Sequence, residues 1–158
     1  MGELLVRGAW IADSSYRGKS PDSFVDGWLR TGDVAVIDQE GYVKLVDRSK
    51  DVIKSGGEWI STIELENALM SHPAVEEAAV IGVPHERWQE RPIGVVVLRR
   101  GRSTTAEGLR EYLRQRFVRW WVPDAIVFVD ELPKTSTGKL AKATLRERFR
   151  DWKWEERA

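Results

Sequence analysis

A change of period near residue 50 constrains the fold more than any other feature of this chain. Upstream, ELLVRG, SFVDGWLRTGD and DVAVIDQEGYVKLVD are short apolar runs broken by Gly, Asp and Ser, and no helical period is found before residue 60. Such runs read as strands. Val34 and Val36 are set against Tyr42 to Val46 across Asp38-Gln39-Glu40-Gly41, which supplies the turn chemistry of a hairpin. A strand-only segment of roughly fifty residues is too small to hold a good core alone. It is therefore expected to be the end of a larger domain.

Downstream the pattern becomes mixed. Ser61 and Glu64 form a capping box ahead of a stripe of Leu65, Ala68 and Leu69, and His72-Pro73 stops that helix. Ala78 to Val83 and Ile93 to Leu98 are continuous apolar runs of strand length, expected to be joined by a loop from Pro84 to Pro92. A second capping box, Thr104 with Glu107, opens a helix carrying Leu109, Tyr112, Leu113 and Phe117. Ala125 to Val129 reads as a strand, Pro133 to Gly138 as a loop, and Leu140, Leu145, Phe149 and Trp152 as a last helix. The expected class is α+β: a small αββαβα layer domain, preceded by strands belonging to the end of a larger domain.

Composition narrows the function. Lys plus Arg and Asp plus Glu both number 25, so no one-sign field favours nucleic acid or an anionic membrane. The absence of Cys excludes disulfides, thiolate metal sites and a cysteine nucleophile. No stretch reaches the roughly 18 apolar residues of a membrane span, and the opening MGELLVRGAW lacks the apolar core of a secretory leader. A cytoplasmic location is expected. His72 and His85 have no metal-ligand spacing and read as a helix-end and a loop residue, and no metal site is expected from this chain. No GxSxG elbow is present.

Several short motifs could carry chemistry. Pro133-Lys134-Thr135-Ser136-Thr137-Gly138-Lys139-Leu140 is not a Walker loop, since Pro133 replaces its first Gly and Leu140 its Ser or Thr. It is a small polar turn presenting a lysine, which can place a point charge on a phosphate or carboxylate oxygen, or can be an ordinary solvated cation. Lys54-Ser55-Gly56-Gly57-Glu58-Trp59 has paired glycines suited to a hairpin turn or to close approach of a ligand. Gly27 to Asp33 ends in a carboxylate that could accept from sugar hydroxyls. Trp120-Trp121 beside Arg116 and Arg119 could be a nucleotide platform or core plus rim. From Lys134 to the end there are eight Lys/Arg and four Asp/Glu, an excess that could receive phosphates or simply solvate a helix. Several of the eight Trp are expected at interfaces or ligand-facing positions.

Taken in order, three segments resemble the C-terminal part of the acyl-adenylate-forming enzymes: Trp28-Leu29-Arg30-Thr31-Gly32-Asp33, then Asp47 to Glu58 (DRSKDVIKSGGE), then Pro133 to Leu140. The wording GGEWIS, PHERWQERP and WWVPDAIVFVDELPKTSTGK is similar to that of medium- and long-chain fatty acyl-CoA synthetases and methylmercaptopropionate-CoA ligases. The resemblance implies an acid-thiol ligase, in which a carboxylate and ATP give acyl-AMP and pyrophosphate and the CoA thiol then displaces AMP. It further implies strands 1–47 of a large adenylating domain, a hinge at 48–51 and a mobile domain at 52–158.

By matching positions, Lys139 is the adenylating lysine, Asp33 and Arg48 contact the nucleotide, and Lys50 is the hinge residue. Lys54, Gly56, Gly57 and Trp88 belong to the CoA step. Where some relatives carry basic residues around Pro123, this chain has Val122 and Asp124, leaving Arg116 and Arg119 as the nearest substitutes for meeting CoA phosphates. The family's phosphate loop and acyl pocket have no counterpart here, so the chain is expected to be an inactive fragment, with ATP and CoA as cosubstrates and magnesium held elsewhere. The alternatives are a free-standing module that completes a partner chain, and a ligase for another carboxylate such as methylmercaptopropionate. Residues 1–47, lacking a cover, are expected to be partly disordered or to self-associate.

Overall fold

The computed structural model describes residues 1–15 and 20–154 and comprises two compact units, Met1–Lys50 and Asp51–Ala158. The first is an antiparallel sheet of β1 (Gly2–Val6), β2 (Phe24–Val25), β3 (Trp28–Ile37) and β4 (Val43–Arg48), with a single 3-10 turn at Pro21–Ser23. The ten-residue β3 is the central strand. β1 pairs along one side of it, from Gly2 opposite Ala35 to Val6 opposite Leu29, and β2 and β4 share the other.

The expected run of turn chemistry acts as such, and a second, unexpected turn accompanies it. Asp38 accepts from the backbone N–H groups of Glu40 and Tyr42 at 2.9 Å, and Gly41 takes φ +89°. This closes the β3–β4 hairpin, with Ile37 opposite Val43. Asp26 and Gly27 both take positive φ between the paired Val25 and Trp28, so a second hairpin lies within SFVDGWLRTGD. Among the described residues only Val34, Ala35 and Val46 are buried apolar side chains of this unit, whereas Ile37, Tyr42, Val43 and Leu45 are exposed.

The second unit contains β5 (Ile53–Ser55), β6 (Glu58–Ile60), α1 (Thr62–Met70), β7 (Val75–His85), β8 (Gln89–Leu98), α2 (Ala106–Arg114), β9 (Ala125–Phe128) and α3 (Lys142–Arg148). Five of these strands form one sheet. β8 lies in the middle, antiparallel to β7 along its whole length and parallel to β9 from Ile93 opposite Ala125 to Val96 opposite Phe128. β5 touches β8 at one register pair, Ser55 with Gln89.

Both faces of this sheet are covered, which explains why β7 and β8 read as continuous rather than alternating apolar runs. On one face Ala78, Val80, Val96 and Ile126 pack with Leu65 and Leu69 of α1 and Leu109 and Leu113 of α2. On the other, Ala79, Ile81, Val83, Ile93 and Val95 pack with Leu132 and Leu145, flanked by Leu140, Phe149, Trp152 and Trp154. The order after residue 60 is αββαβα, as expected, with the β5–β6 hairpin added ahead of it.

Three local expectations are corrected. The span Pro84 to Pro92 is not a loop: pairing continues through Pro84 with Glu90 to His85 with Gln89, leaving Glu86, Arg87 and Trp88 as the connection. Gln89 takes φ +70° there, so the tight turn replaces the loop that the charges suggested. The N-cap of α2 is Thr105, whose side chain accepts from Gly108 N–H, and not Thr104. The last helix ends at Arg148; Trp152 lies beyond it, although its ring packs against Phe149 with centroids 5.7 Å apart. At Ser61 the hydroxyl accepts from Glu64 N–H at 3.2 Å, as expected of an N-cap.

Candidate functional site

In the second unit the paired glycines lie between Ser55 and Glu58, which face each other as the closing pair of the β5–β6 hairpin. Gly56 and Gly57 take φ +60° and +86°, the left-handed pair that a two-residue hairpin turn requires. Gly56 is also sterically bound: a Cβ there would lie 3.0 Å from Cε3 of Trp88. Its N–H donates to the Trp88 carbonyl at 3.0 Å, so the turn rests directly on the tip of the β7–β8 hairpin. At Gly57 no atom lies within 4 Å of a built Cβ, so that side of the turn is open. The structure thus brings Lys54, Gly56, Gly57 and Trp88 into one neighbourhood. Lys54 is held through its backbone N–H on Glu90 Oε2 at 3.0 Å, leaving its side chain exposed, and the Arg87 guanidinium stacks over the Trp88 ring at 4.6 Å.

Lys139 lies in a closed loop between β9 and α3. Lys134 and Leu140 form an isolated antiparallel bridge, Thr135 N–H donates to the Lys139 carbonyl at 2.7 Å, and Lys139 N–H donates to Thr135 Oγ1 at 3.2 Å. Gly138, at φ +78°, donates to the Thr135 carbonyl and makes the reversal possible. The loop is also fastened from outside, since Lys134 Nζ lies 2.6 Å from Glu77 Oε1 on β7. The Glu77 carboxylate accepts a hydrogen bond from Lys134 and holds its ammonium above the ordinary lysine range. Backbone geometry therefore fixes where Lys139 starts, while its exposed side chain makes no ion pair among the described residues. A fixed stem with a free ammonium can deliver a charge to an anionic ligand and withdraw it.

In the first unit the two candidate nucleotide residues are register partners across β3 and β4, with Arg48 Nε 2.9 Å from Asp33 Oδ1. Thr31 Oγ1 accepts from Asp33 N–H, and Asp47 Oδ1 accepts from Arg48 N–H at 2.8 Å, so both backbones are locally braced. Lys50 is exposed and is the last residue of this unit.

The histidines are used structurally. His72 Nδ1 accepts from Ala74 N–H, and the ring meets Tyr112 edge-on at 4.9 Å. His85 Nδ1 accepts from Arg87 N–H; it ends β7 rather than standing in a loop. Arg116 is stacked over Tyr112 at 3.7 Å and donates to its carbonyl. Trp121 stacks on Phe117 at 5.9 Å, against the core, while Trp120 remains half-exposed beside it. Arg110, Arg114, Arg119, Val122 and Asp124 line a cavity of about 330 Å³, a basic recess for which only Arg119 had been singled out in the sequence. Among the described residues no group of three or more His, Asp and Glu side chains is arranged to hold a metal ion, and no helix is long and apolar enough to cross a membrane.

Residues 64–139 match the family described as AMP-binding enzyme C-terminal domain. Residues 64–139 carry that domain. The match ends on Lys139, so α1, β7, β8, α2, β9 and the lysine loop are family structure. The chain is 51% identical over 156 residues to a long-chain-fatty-acid–CoA ligase of Thermus thermophilus, covering 96% of this chain and 29% of that protein. It is 50% identical over 150 residues to a 3-methylmercaptopropionyl-CoA ligase of Ruegeria lacuscaerulensis, covering 95% of this chain and 28% of the relative. Among solved structures, the o-succinylbenzoate CoA synthetase of Bacillus subtilis in complex with its acyl-adenylate intermediate is 36% identical with a TM-score of 0.83, over 92% of this chain and 30% of that one. The chain spans under a third of the length of each of these proteins.

Proposed function

We propose that this chain is the C-terminal part of an ATP-dependent, AMP-forming acyl-CoA ligase acting on a fatty acid. Identity at about half of all positions to two CoA ligases, over nearly the whole chain, carries this reading. In the first half-reaction a carboxylate oxygen of the acid attacks the α-phosphorus of ATP, the bond to the β-phosphate oxygen breaks, and acyl-AMP and pyrophosphate result. Lys139 is assigned to this step, its ammonium meeting the negative charge that develops on the carboxylate and phosphate oxygens. Asp33 is assigned to the ribose hydroxyls and Arg48 to the ribose or a phosphate; their mutual ion pair keeps both side chains aimed before nucleotide arrives.

In the second half-reaction the CoA thiol loses its proton, the sulfur attacks the acyl carbon, and AMP leaves. We assign the Gly56-Gly57 turn to the passage of the thiol arm, because a turn without side chains lets a chain pass along the backbone. Lys54 and Trp88 flank that passage. Lys50 is assigned as the hinge that lets one unit exchange between the two half-reactions. Magnesium would be held with ATP by groups other than the residues described here, where it would neutralise phosphate charge. As a location we propose the cytoplasm, where ATP and CoA are both supplied. We also propose that the exposed apolar residues of β3 and β4 lead this chain, taken alone, to associate with another copy.

The test is ATP–pyrophosphate exchange by the full-length ligase over a panel of medium- and long-chain fatty acids that includes 3-methylmercaptopropionate. Exchange that depends on a fatty acid supports the reading. Exchange with 3-methylmercaptopropionate alone would move the substrate to the second relative's acid, which 50% identity also favours. No exchange with any carboxylate would remove the ligase reading.

A further inference from the structure

Arg91 is a charged side chain near the start of β8, just ahead of its apolar run, with only 9% of that side chain exposed. A guanidinium in such a place is costly unless its donors are matched. Here they are matched by three different segments. Nε donates to Asp124 Oδ2 at 2.7 Å and Nη2 to Asp124 Oδ1 at 3.3 Å, Nη1 donates to the Trp120 carbonyl at 2.8 Å, and Nη1 also donates to Ser55 Oγ at 3.1 Å. Ser55, itself buried, is the last residue before Gly56. Trp120 and Asp124 frame the stretch that leads from α2 into β9.

The sheet gives this contact unusual weight. β5 meets β8 at the single pair Ser55 and Gln89, too little ladder to fix a hairpin by itself. Beside the Ser55–Gln89 pairing, the Gly56 to Trp88 hydrogen bond and the Lys54 to Glu90 contact, the fork of Arg91 is a further polar link between the base of the glycine turn and the body of the domain. It is also the only one of these that reaches the 120–124 stretch. The same fork pairs with Asp124, which lines the recess together with Arg110, Arg114 and Arg119.

We infer that Arg91 is a positioning residue for the thioester step: by holding Ser55, Trp120 and Asp124 together it sets the Gly56-Gly57 turn against the 120–124 stretch. This rests on the assignment of that turn to CoA. A buried pair serving stability alone would damage both half-reactions equally when broken. A brace for the turn acts on the CoA step.

Two variants separate these roles. Ser55→Ala removes only the contact to the turn and keeps the pair with Asp124. Arg91→Met combined with Asp124→Asn removes both charges of the pair together, so that neither is left unpaired. In this 158-residue chain, hydrogen exchange of the amides at 55–58 is expected to quicken about tenfold in Ser55→Ala, on the scale of one hydrogen bond to a charged group, while exchange within β7 and β8 stays unchanged. In the full-length ligase, the KM for CoA in both variants is expected to rise by about five- to tenfold, with acid-dependent pyrophosphate exchange within about twofold of the parent. Unaltered exchange at 55–58 in both variants would overturn the brace. So would equal loss in the two half-reactions. A parent ligase without CoA-dependent turnover would remove the functional reading, while hydrogen exchange would still decide whether Arg91 holds the turn.

Discussion

Lys142 and Glu66 stand 76 positions apart in sequence, yet Lys142 Nζ lies 2.7 Å from Glu66 Oε1 with each side chain nearly nine-tenths buried. Lys142 also donates to Thr62 Oγ1 at 2.6 Å, and Glu66 Oε1 accepts from Val80 N–H at 2.7 Å. One charged cluster therefore joins the first turn of α3 to α1 and β7. Arg146, one turn further along α3, pairs with Asp51 at 2.8 Å. Glu66→Ala leaves the buried Lys142 ammonium without its carboxylate, keeping only the Thr62 hydroxyl, and we expect it to cost about 3–5 kcal/mol, the usual scale for breaking a buried pair from one side. Replacing both residues, Glu66→Met with Lys142→Met, should cost much less. Urea denaturation of the chain measures both; equal loss in the single and double variants would show that the pair itself, and not an orphaned charge, carries the stability.

Lys139→Ala in the full-length ligase should lower acid-dependent pyrophosphate exchange by about a hundredfold or more, the range for loss of one aligned electrostatic group. Thioester formation from supplied acyl-AMP should change little. The loop keeps its backbone hydrogen bonds when the side chain goes, because both contacts of residue 139 there are made by its own N–H and C=O. Equal loss in the two half-reactions would take Lys139 out of adenylation.

The two glycines of the β5–β6 turn should respond unequally to alanine. Both lie at positive φ, where a Cβ adds strain of about 1 kcal/mol or more. Only Gly56 also meets Trp88, so Gly56→Ala must displace the indole as well. We expect Gly56→Ala to lower stability more than Gly57→Ala and to quicken quenching of tryptophan fluorescence by acrylamide. A ranking in the opposite order would show that the turn does not rest on Trp88.

Acid should loosen α2 through Glu107. A hydrogen bond from Arg114, assisted by the charges of Arg110 and Arg114, holds the Glu107 carboxyl below its ordinary value of 4.5. The folded state thus binds this proton less readily than the unfolded chain. The contribution to stability is present above 4.5 and is lost as pH falls through the lower folded value. Because the site is open to solvent, the effect should be small and weakened by salt. Glu107→Gln should flatten the acid limb of stability against pH below 4.5 by slightly lowering stability at neutral pH while leaving the most acid values alike; an unchanged acid limb would count against this pair.

Much of the architecture was readable because its determinants are local. Ser61 caps α1 through its own neighbour Glu64, and the apolar runs of β7 and β8 need only strand length to be seen. The α2 cap was misplaced by one residue because Thr104 and Thr105 are both competent caps, and the choice depends on backbone angles set further along. The β7–β8 hairpin was missed at its tip because Pro84, Arg91 and Pro92 resemble loop residues. As edge and buried-pair residues they are compatible with a ladder. Arg91 had one visible signal, a guanidinium inside the apolar run ERPIGVVVL with no acidic neighbour on its own face. Its partner Asp124 is 33 residues away, and Lys142 finds Glu66 at still greater distance. Such pairs are decided by how layers stack, which no local period encodes.

The second face of the sheet has a practical bearing on how this domain can be cut. The recurring family segment stops at Lys139, but Leu140, Leu145, Phe149, Trp152 and Trp154 lie past that point and shield Ala79, Ile81, Val83, Ile93 and Val95. Trp154 even donates its indole N–H to the Pro84 carbonyl at 2.8 Å, tying the end of the chain to the β7–β8 hairpin. A piece trimmed to the family limits would present a bare aliphatic stripe to water and clump. The family segment and the stretch that closes this face of the sheet are therefore different lengths, and the second runs through Trp154.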